Sequence, residues 1–115
     1  MGETVRIPAG LEVSALLRQV QAEGGFACVL AKGEPDAGTL LVVISHNGAP
    51  PVAYERMPLS DGSRGWQATR KHDPEKPFSF GEYLDRRKAQ DSDLWIIELD
   101  IAAGERFIGL PPPSA

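Results

Sequence analysis

Side chains able to do covalent or metal chemistry are scarce in this sequence. One cysteine and two histidines are spread over 115 residues, so an internal disulfide is impossible and no Cys/His metal motif can be written. Cys28 lies among apolar neighbours, where a cysteine acts as a small, inert core residue. A lone thiol also suits a reducing compartment. Ser14, Ser45 and Ser60 lack the glycine-framed elbow of a hydrolase nucleophile. His46 and His72 fall at the same end of the expected sheet with one strand between them. Normal strand spacing puts them about 9–10 Å apart, too far to share an ion unless the loops bend inward. These absences argue against covalent catalysis, and neither a metal nor a cofactor is expected.

Long hydrophobic runs and an excess of positive charge are missing as well. The longest run of branched aliphatic residues, Leu40–Ile44, has five members, whereas a membrane helix needs about 20. The polar start, Met1–Arg6, does not resemble a signal peptide. The expectation is a cytoplasmic protein with no membrane partner. Net charge is −4 and aromatic residues make up 7%, so the global field opposes polyanions and stacking groups are few. Nucleic acid is not an expected partner.

What the chain does contain is a core. With 42% hydrophobic and 24% charged residues, it reads as one ordinary globular domain over residues 1–110, followed by a flexible proline-rich tail over 111–115. Val13, Leu16, Leu17 and Val20 recur at helical spacing and predict a helix over Ala9–Glu23, stopped by Gly24-Gly25. Four strands follow: Phe26–Lys32, Thr39–Ser45, Val52–Met57 and Gly65–His72. In the first, Phe26, Cys28 and Leu30 share one side and Ala27, Val29 and Ala31 the other. The second reads as a central strand covered on both faces, and the polar partners in the fourth place it near an edge. A second helix, Phe80–Ala89, opens on Ser79 and Glu82 with the spacing of a capping box, and a last strand covers Leu94–Ile101. The order α-β-β-β-β-α-β describes an α+β fold. Its five-stranded, mostly antiparallel sheet starts as a four-stranded meander, and both helices are expected on one face.

Charge is uneven along the chain. Arg64–Lys88 holds seven basic and four acidic residues, a local +3 that leaves −7 elsewhere. The loop Gly33–Gly38 carries Glu34 and Asp36 between glycines. It has neither the spacing nor the lysine of a phosphate loop, and a hairpin turn accounts for its composition. Asp36, Glu55, Glu98 and Asp100 are the acidic residues from which a divalent-metal enzyme would have to be built. In the second helix, Phe80, Tyr83, Leu84 and Arg87 share a face, so Arg87 is expected over the sheet, paired with Glu98 or Asp100. The candidate binding residues are therefore Glu34, Asp36, Arg86, Arg87, Glu98 and Asp100.

Arg6-Ile7-Pro8-Ala9-Gly10-Leu11-Glu12-Val13-Ser14-Ala15-Leu16, Lys32-Gly33-Glu34-Pro35-Asp36-Ala37-Gly38, Tyr83-Leu84-Asp85-Arg86-Arg87 and Asp93-Leu94-Trp95-Ile96-Ile97-Glu98-Leu99-Asp100 resemble the alphaproteobacterial domain-of-unknown-function family 1491. The likeness spans Arg6 to Ile108. It implies a bacterial setting and transfers no catalytic residue. The expected function is that of a non-enzymatic accessory domain that binds a protein partner or a second copy of itself, with an edge near Gly65–His72 as a place to pair. The alternatives are the acidic divalent-metal enzyme and an RNA-binding accessory protein using Trp66 and the basic stretch.

Overall fold

The computed structural model describes residues 7–111. Helix α1 covers Ala9–Ala22 and buries Ala9, Val13, Leu16 and Val20, the stripe expected from their spacing. Its end is set by Gly24, whose φ of 86° suits a residue without a Cβ. Strands β1 (Phe26–Ala31), β2 (Leu40–Ser45), β3 (Val52–Pro58) and β4 (Arg64–Lys71) follow, then α2 (Ser79–Gln90) and β5 (Trp95–Asp100). A short 3-10 helix, Gly104–Ile108, closes the described chain and has no counterpart in the sequence reading. Asn47 and Gly48, both at positive φ, make the tight turn between β2 and β3. The tail expected over 111–115, beyond Pro111, lies outside the described residues.

The five strands form one mixed sheet in the order β1-β5-β2-β3-β4. Only β5 and β2 run parallel; the other three pairings are antiparallel. The α+β class, the element order and the mostly antiparallel character agree with the sequence reading, and β4 is an edge strand as expected. Two expectations need correction. First, β1 and β2 are not hairpin partners, because β5 inserts between them. The meander therefore comprises β2-β3-β4 alone, and Gly33–Gly38 is a bridge over the start of β5.

Second, the two helices lie on opposite faces of the sheet rather than on one. Leu40, Val42 and Ile44 of β2 join Val13, Leu16 and Val20 of α1 in one cluster with Trp95, Ile97 and Leu99. Leu41 and Val43 point the other way and meet Phe80, Tyr83 and Leu84 of α2, with Ala53 and Ile96. An unbroken aliphatic run such as Leu40–Ile44 needs cover on both sides, so one helix goes to each.

Smaller departures have local causes. The expected capping box is absent: Phe78 is the N-cap of α2, and the Ser79 hydroxyl donates to the Lys76 carbonyl at 2.9 Å. The β1–β5 register shifts between Val29 and Ala31. That bulge turns Ala31 toward the α2 cluster, whereas strict alternation would put it with Ala27 on the α1 side. A second bulge in β3–β4 leaves Thr69 as an extra residue between the pairs Ala53–Arg70 and Tyr54–Ala68.

Candidate functional site

Arg87 lies over the sheet, but its partner is Glu55 on β3 rather than Glu98 or Asp100 on β5. The reason is lateral position. α2 packs on Leu41, Val43 and Ala53, and β2 separates β3 from β5, so Glu98 lies about two strand spacings, roughly 10 Å, to the side. Glu55 is only 8% exposed. Arg87 Nη2 donates to Glu55 Oε1 at 2.6 Å and Nε to Oε2 at 3.1 Å. The Tyr83 hydroxyl donates to Oε2 at 2.7 Å, and the Thr69 hydroxyl lies 3.3 Å from the same oxygen. Burial alone would raise the Glu55 carboxyl. The hydrogen bonds from Arg87 and Tyr83, with the guanidinium charge, outweigh it and hold the group below the usual range.

A carboxylate held ionised in this way has no proton to give and little basicity near neutral pH. The cluster does the work of a clamp joining α2 to β3 and β4. Arg70 adds to it by lying over the Tyr83 ring at 5.4 Å. Tyr83 and Thr69 were not singled out in the sequence. Tyr83 is legible only as an apolar-face residue of α2, and Thr69 is placed by a bulge that no sequence signal announces.

Glu34 and Asp36 also have structural duties. Glu34 Oε2 accepts the backbone N–H of Asp36 at 2.8 Å and that of Ala37. Its carbonyl accepts the Trp95 indole N–H at 2.8 Å. The carbonyls of Pro35 and Asp36 accept the N–H groups of Gly10 and Ala9 at the start of α1, satisfying donors that a helix leaves free. The loop thus ties α1 to β5, with no open amide nest left at that helix end. Lys88 is similarly engaged, its ammonium donating to the carbonyls of Lys32, Ser92 and Leu94 at 2.7, 2.7 and 2.9 Å. Arg86 is exposed.

Glu98 and Asp100 share the α2 side of β5, but α2 does not extend over them. Glu98 lies 3.9 Å from the Cys28 thiol, and Asp100 lies 3.7 Å from His46 Nδ1. Partial burial and the Glu98 charge together push the Cys28 thiol up. Cys28 is thus half-buried beside a carboxylate, not enclosed by apolar neighbours as its strand suggested. Glu55, Glu98 and Asp100 each face a different partner, and Asp36 is engaged through its backbone. Among the described residues, no group of three or more His, Cys, Asp or Glu side chains is placed to hold a metal. Trp66, considered for base stacking, packs against the core with the Arg56 guanidinium 4.6 Å from its ring.

The two sheet edges differ. β4 carries Arg64, Arg70 and Lys71, charges of the kind that discourage strand pairing. β1, Phe26–Ala31, has no charge and no proline. Phe26, Val29 and Leu30 on it are 60%, 40% and 49% exposed.

Fold and side chains together define a small α+β domain that has one helix on each sheet face, a partly buried ionic clamp and one uncharged sheet edge. The chain belongs to the DUF1491 family: residues 7–109 match the family described as "Protein of unknown function (DUF1491)". A crystal structure of a DUF1491 family protein from Caulobacter crescentus CB15 is similar at 27% identity and a TM-score of 0.75, over 92% of this chain and 98% of that one. The solution structure of Atu0922 from A. tumefaciens is similar at 28% identity and a TM-score of 0.73, over 96% of this chain and 100% of that one. An NMR structure of a DUF1491 family protein from Caulobacter crescentus CB15 gives 26% identity and a TM-score of 0.75, over 96% and 100%. No curated protein matches the sequence significantly.

Proposed function

We propose that this chain is a non-enzymatic protein-interaction domain that takes a partner strand along β1. The observation that carries this reading is the contrast between the two edges. An uncharged edge strand with exposed Phe26, Val29 and Leu30 is a template for pairing, and proteins blunt such edges unless something covers them. The bulge after Val29 limits the available ladder to Phe26–Val29. The polar clusters support the same reading, since Glu55, Arg87, Glu34 and Lys88 are all occupied in holding elements together. We place the protein in a bacterial cytoplasm, on its one free cysteine and the organisms of its structural relatives.

The test compares three baits in a pull-down from native lysate: wild type, Val29→Lys on β1, and Gln67→Lys on β4. Both positions are exposed, so both variants should fold. The expected result is a partner held by wild type and Gln67→Lys and lost by Val29→Lys. A partner retained equally by all three would remove β1 as the docking edge.

A further inference from the structure

On the α1 side of the sheet, the outer end of β3–β4 is left open. α1 covers β1 and β5, and the 3-10 helix packs on α1 and β2. Beside them is a pocket of about 570 Å³ lined by Pro50, Val52, Tyr54, Ala68, Thr69, Arg70 and Lys71. That volume is in the range of sites that enclose a small molecule, roughly 300–1,000 Å³.

The chemistry of the lining is one-sided. Val52 and Tyr54 pair with Lys71 and Ala68 across the two strands, so a ring, two small apolar side chains and an ammonium face the same space. The Thr69 bulge breaks the alternation here, and Thr69 spends its hydroxyl on Tyr83 and Glu55 on the other face. Arg70 likewise sends its guanidinium over the Tyr83 ring. The Tyr54 hydroxyl is taken by Glu105, 3.2 Å away and buried, so what Tyr54 offers to the pocket is its ring. Lys71 is left as the cation at the rim. It is exposed and has no hydrogen-bond or ionic partner among the described residues.

We infer that this pocket binds a small amphipathic carboxylate, with the apolar body on Pro50, Val52, the Tyr54 ring and Ala68, and the carboxylate on Lys71. The occupant follows from charge complementarity: an apolar hollow with one free ammonium at its rim favours an anion over a neutral or cationic chain of the same length. Glu105 sets the preference for a single charge, because a second anionic group near the Tyr54 end would meet its carboxylate. This inference is independent of strand docking at β1, which lies at the opposite edge of the sheet.

The experiment titrates isotope-labelled protein with octanoate, octan-1-ol and octylamine and follows backbone amide shifts. Octanoate is expected to saturate shifts at Val52, Tyr54, Ala68, Thr69 and Lys71, binding roughly tenfold tighter than octan-1-ol, the scale of one charge-assisted contact. Lys71→Ala should erase that difference without weakening octan-1-ol. Ala68→Trp, at an exposed position, should fill the hollow and abolish both. Equal affinity for octanoate and octan-1-ol in wild type would overturn the proposal, as would shifts centred elsewhere. Octanoate shifts that emerge only after deletion of residues 112–115 would also overturn it, because the chain's own terminus would then be the occupant. Shifts at these residues caused by raising protein concentration alone would assign the pocket to a second copy instead.

Discussion

Partial burial and the neighbouring Glu98 carboxylate push the Cys28 thiol above its ordinary value. Since the thiolate is the reactive species, Glu98→Gln should speed labelling of native Cys28 by a thiol reagent severalfold at pH 8, and Asp100→Asn should not. Unchanged rates in Glu98→Gln would mean that access alone limits the reaction. The Glu55–Arg87 pair makes a second case at this scale. Arg87→Ala strands a carboxylate that is only 8% exposed, though Tyr83 and Thr69 still donate to it. The expected cost at pH 7 is about 2–4 kcal/mol, below the full penalty of a sealed pair because Arg87 is itself partly exposed. Folded Glu55 titrates below the ordinary glutamate value of 4.5, so acid favours the unfolded chain. Its contribution is whole above that value and is lost as pH falls through the lower folded value. Denaturant midpoints of wild type and Arg87→Ala should therefore stay apart at neutral pH and converge as the pH falls below the ordinary glutamate value of 4.5. A gap that stays constant would show that packing of the arginine stem, not its charge, stabilises α2. The sequence placed Arg87 over the sheet from helical spacing alone. It could not name Glu55, because the partner depends on which strand lies beneath α2.

Helices and strands were legible where periodicity decides them. α1 begins at Ala9 as expected and ends one residue earlier, and the aliphatic run of β2 was readable as a strand covered twice. Connections were less legible. The Pro, Asp and Gly residues of Gly33–Gly38 suit a hairpin turn, yet they serve a bridge whose carbonyls hold the start of α1 and the Trp95 indole. Its glycines have a different role from the one a hairpin would give them. A Cβ on Gly33 would run into the backbone of Asp93 and Leu94, whereas one on Gly81 in α2 meets nothing within 4 Å. Gly33→Ala should therefore destabilise by about 1–3 kcal/mol through forced separation of the bridge from β5. Gly81→Ala should stabilise by about 0.5–1 kcal/mol through helix propensity. Urea midpoints of the two variants should move in opposite directions. A neutral Gly33→Ala would mean that the bridge yields without loss and is not what fixes α1 to the sheet.

Strand order is the feature that local patterns could not supply. Val52–Met57 lies beside β2 and Gly65–His72 beside β3, as the meander reading expects, since short loops join sequential antiparallel neighbours. β5 carries the same alternation whether it lies at an edge or inside, so its insertion between β1 and β2 has no sequence signature. That insertion sets the distribution of stability through the whole molecule. β2 and β5 each pair on both sides and contribute fully buried residues to both core clusters, among them Leu41, Val42, Ile97 and Leu99. β1 and β4 pair on one side only, and much of their surface is exposed. Opening an edge strand breaks one ladder and uncovers little apolar area, whereas separating β2 from β5 opens both clusters together. Native-state hydrogen exchange should accordingly find the amides of Val42, Val43, Ile97 and Leu99 released only by global unfolding, with a free energy equal to that from denaturant melts. The ladder amides of β4 should open at lower free energy and without the rest, because β4 has a strand neighbour on one side only, and its ties to α2 are the side-chain contacts of Thr69 and Arg70 with Tyr83. If β4 exchanged as slowly as β2, the sheet would unfold as one unit and its edges would be stabilised by something beyond the pairings described. If Ile97 exchanged ahead of Val42, the parallel β2–β5 ladder would be a late, weak addition to the meander rather than the centre of the fold.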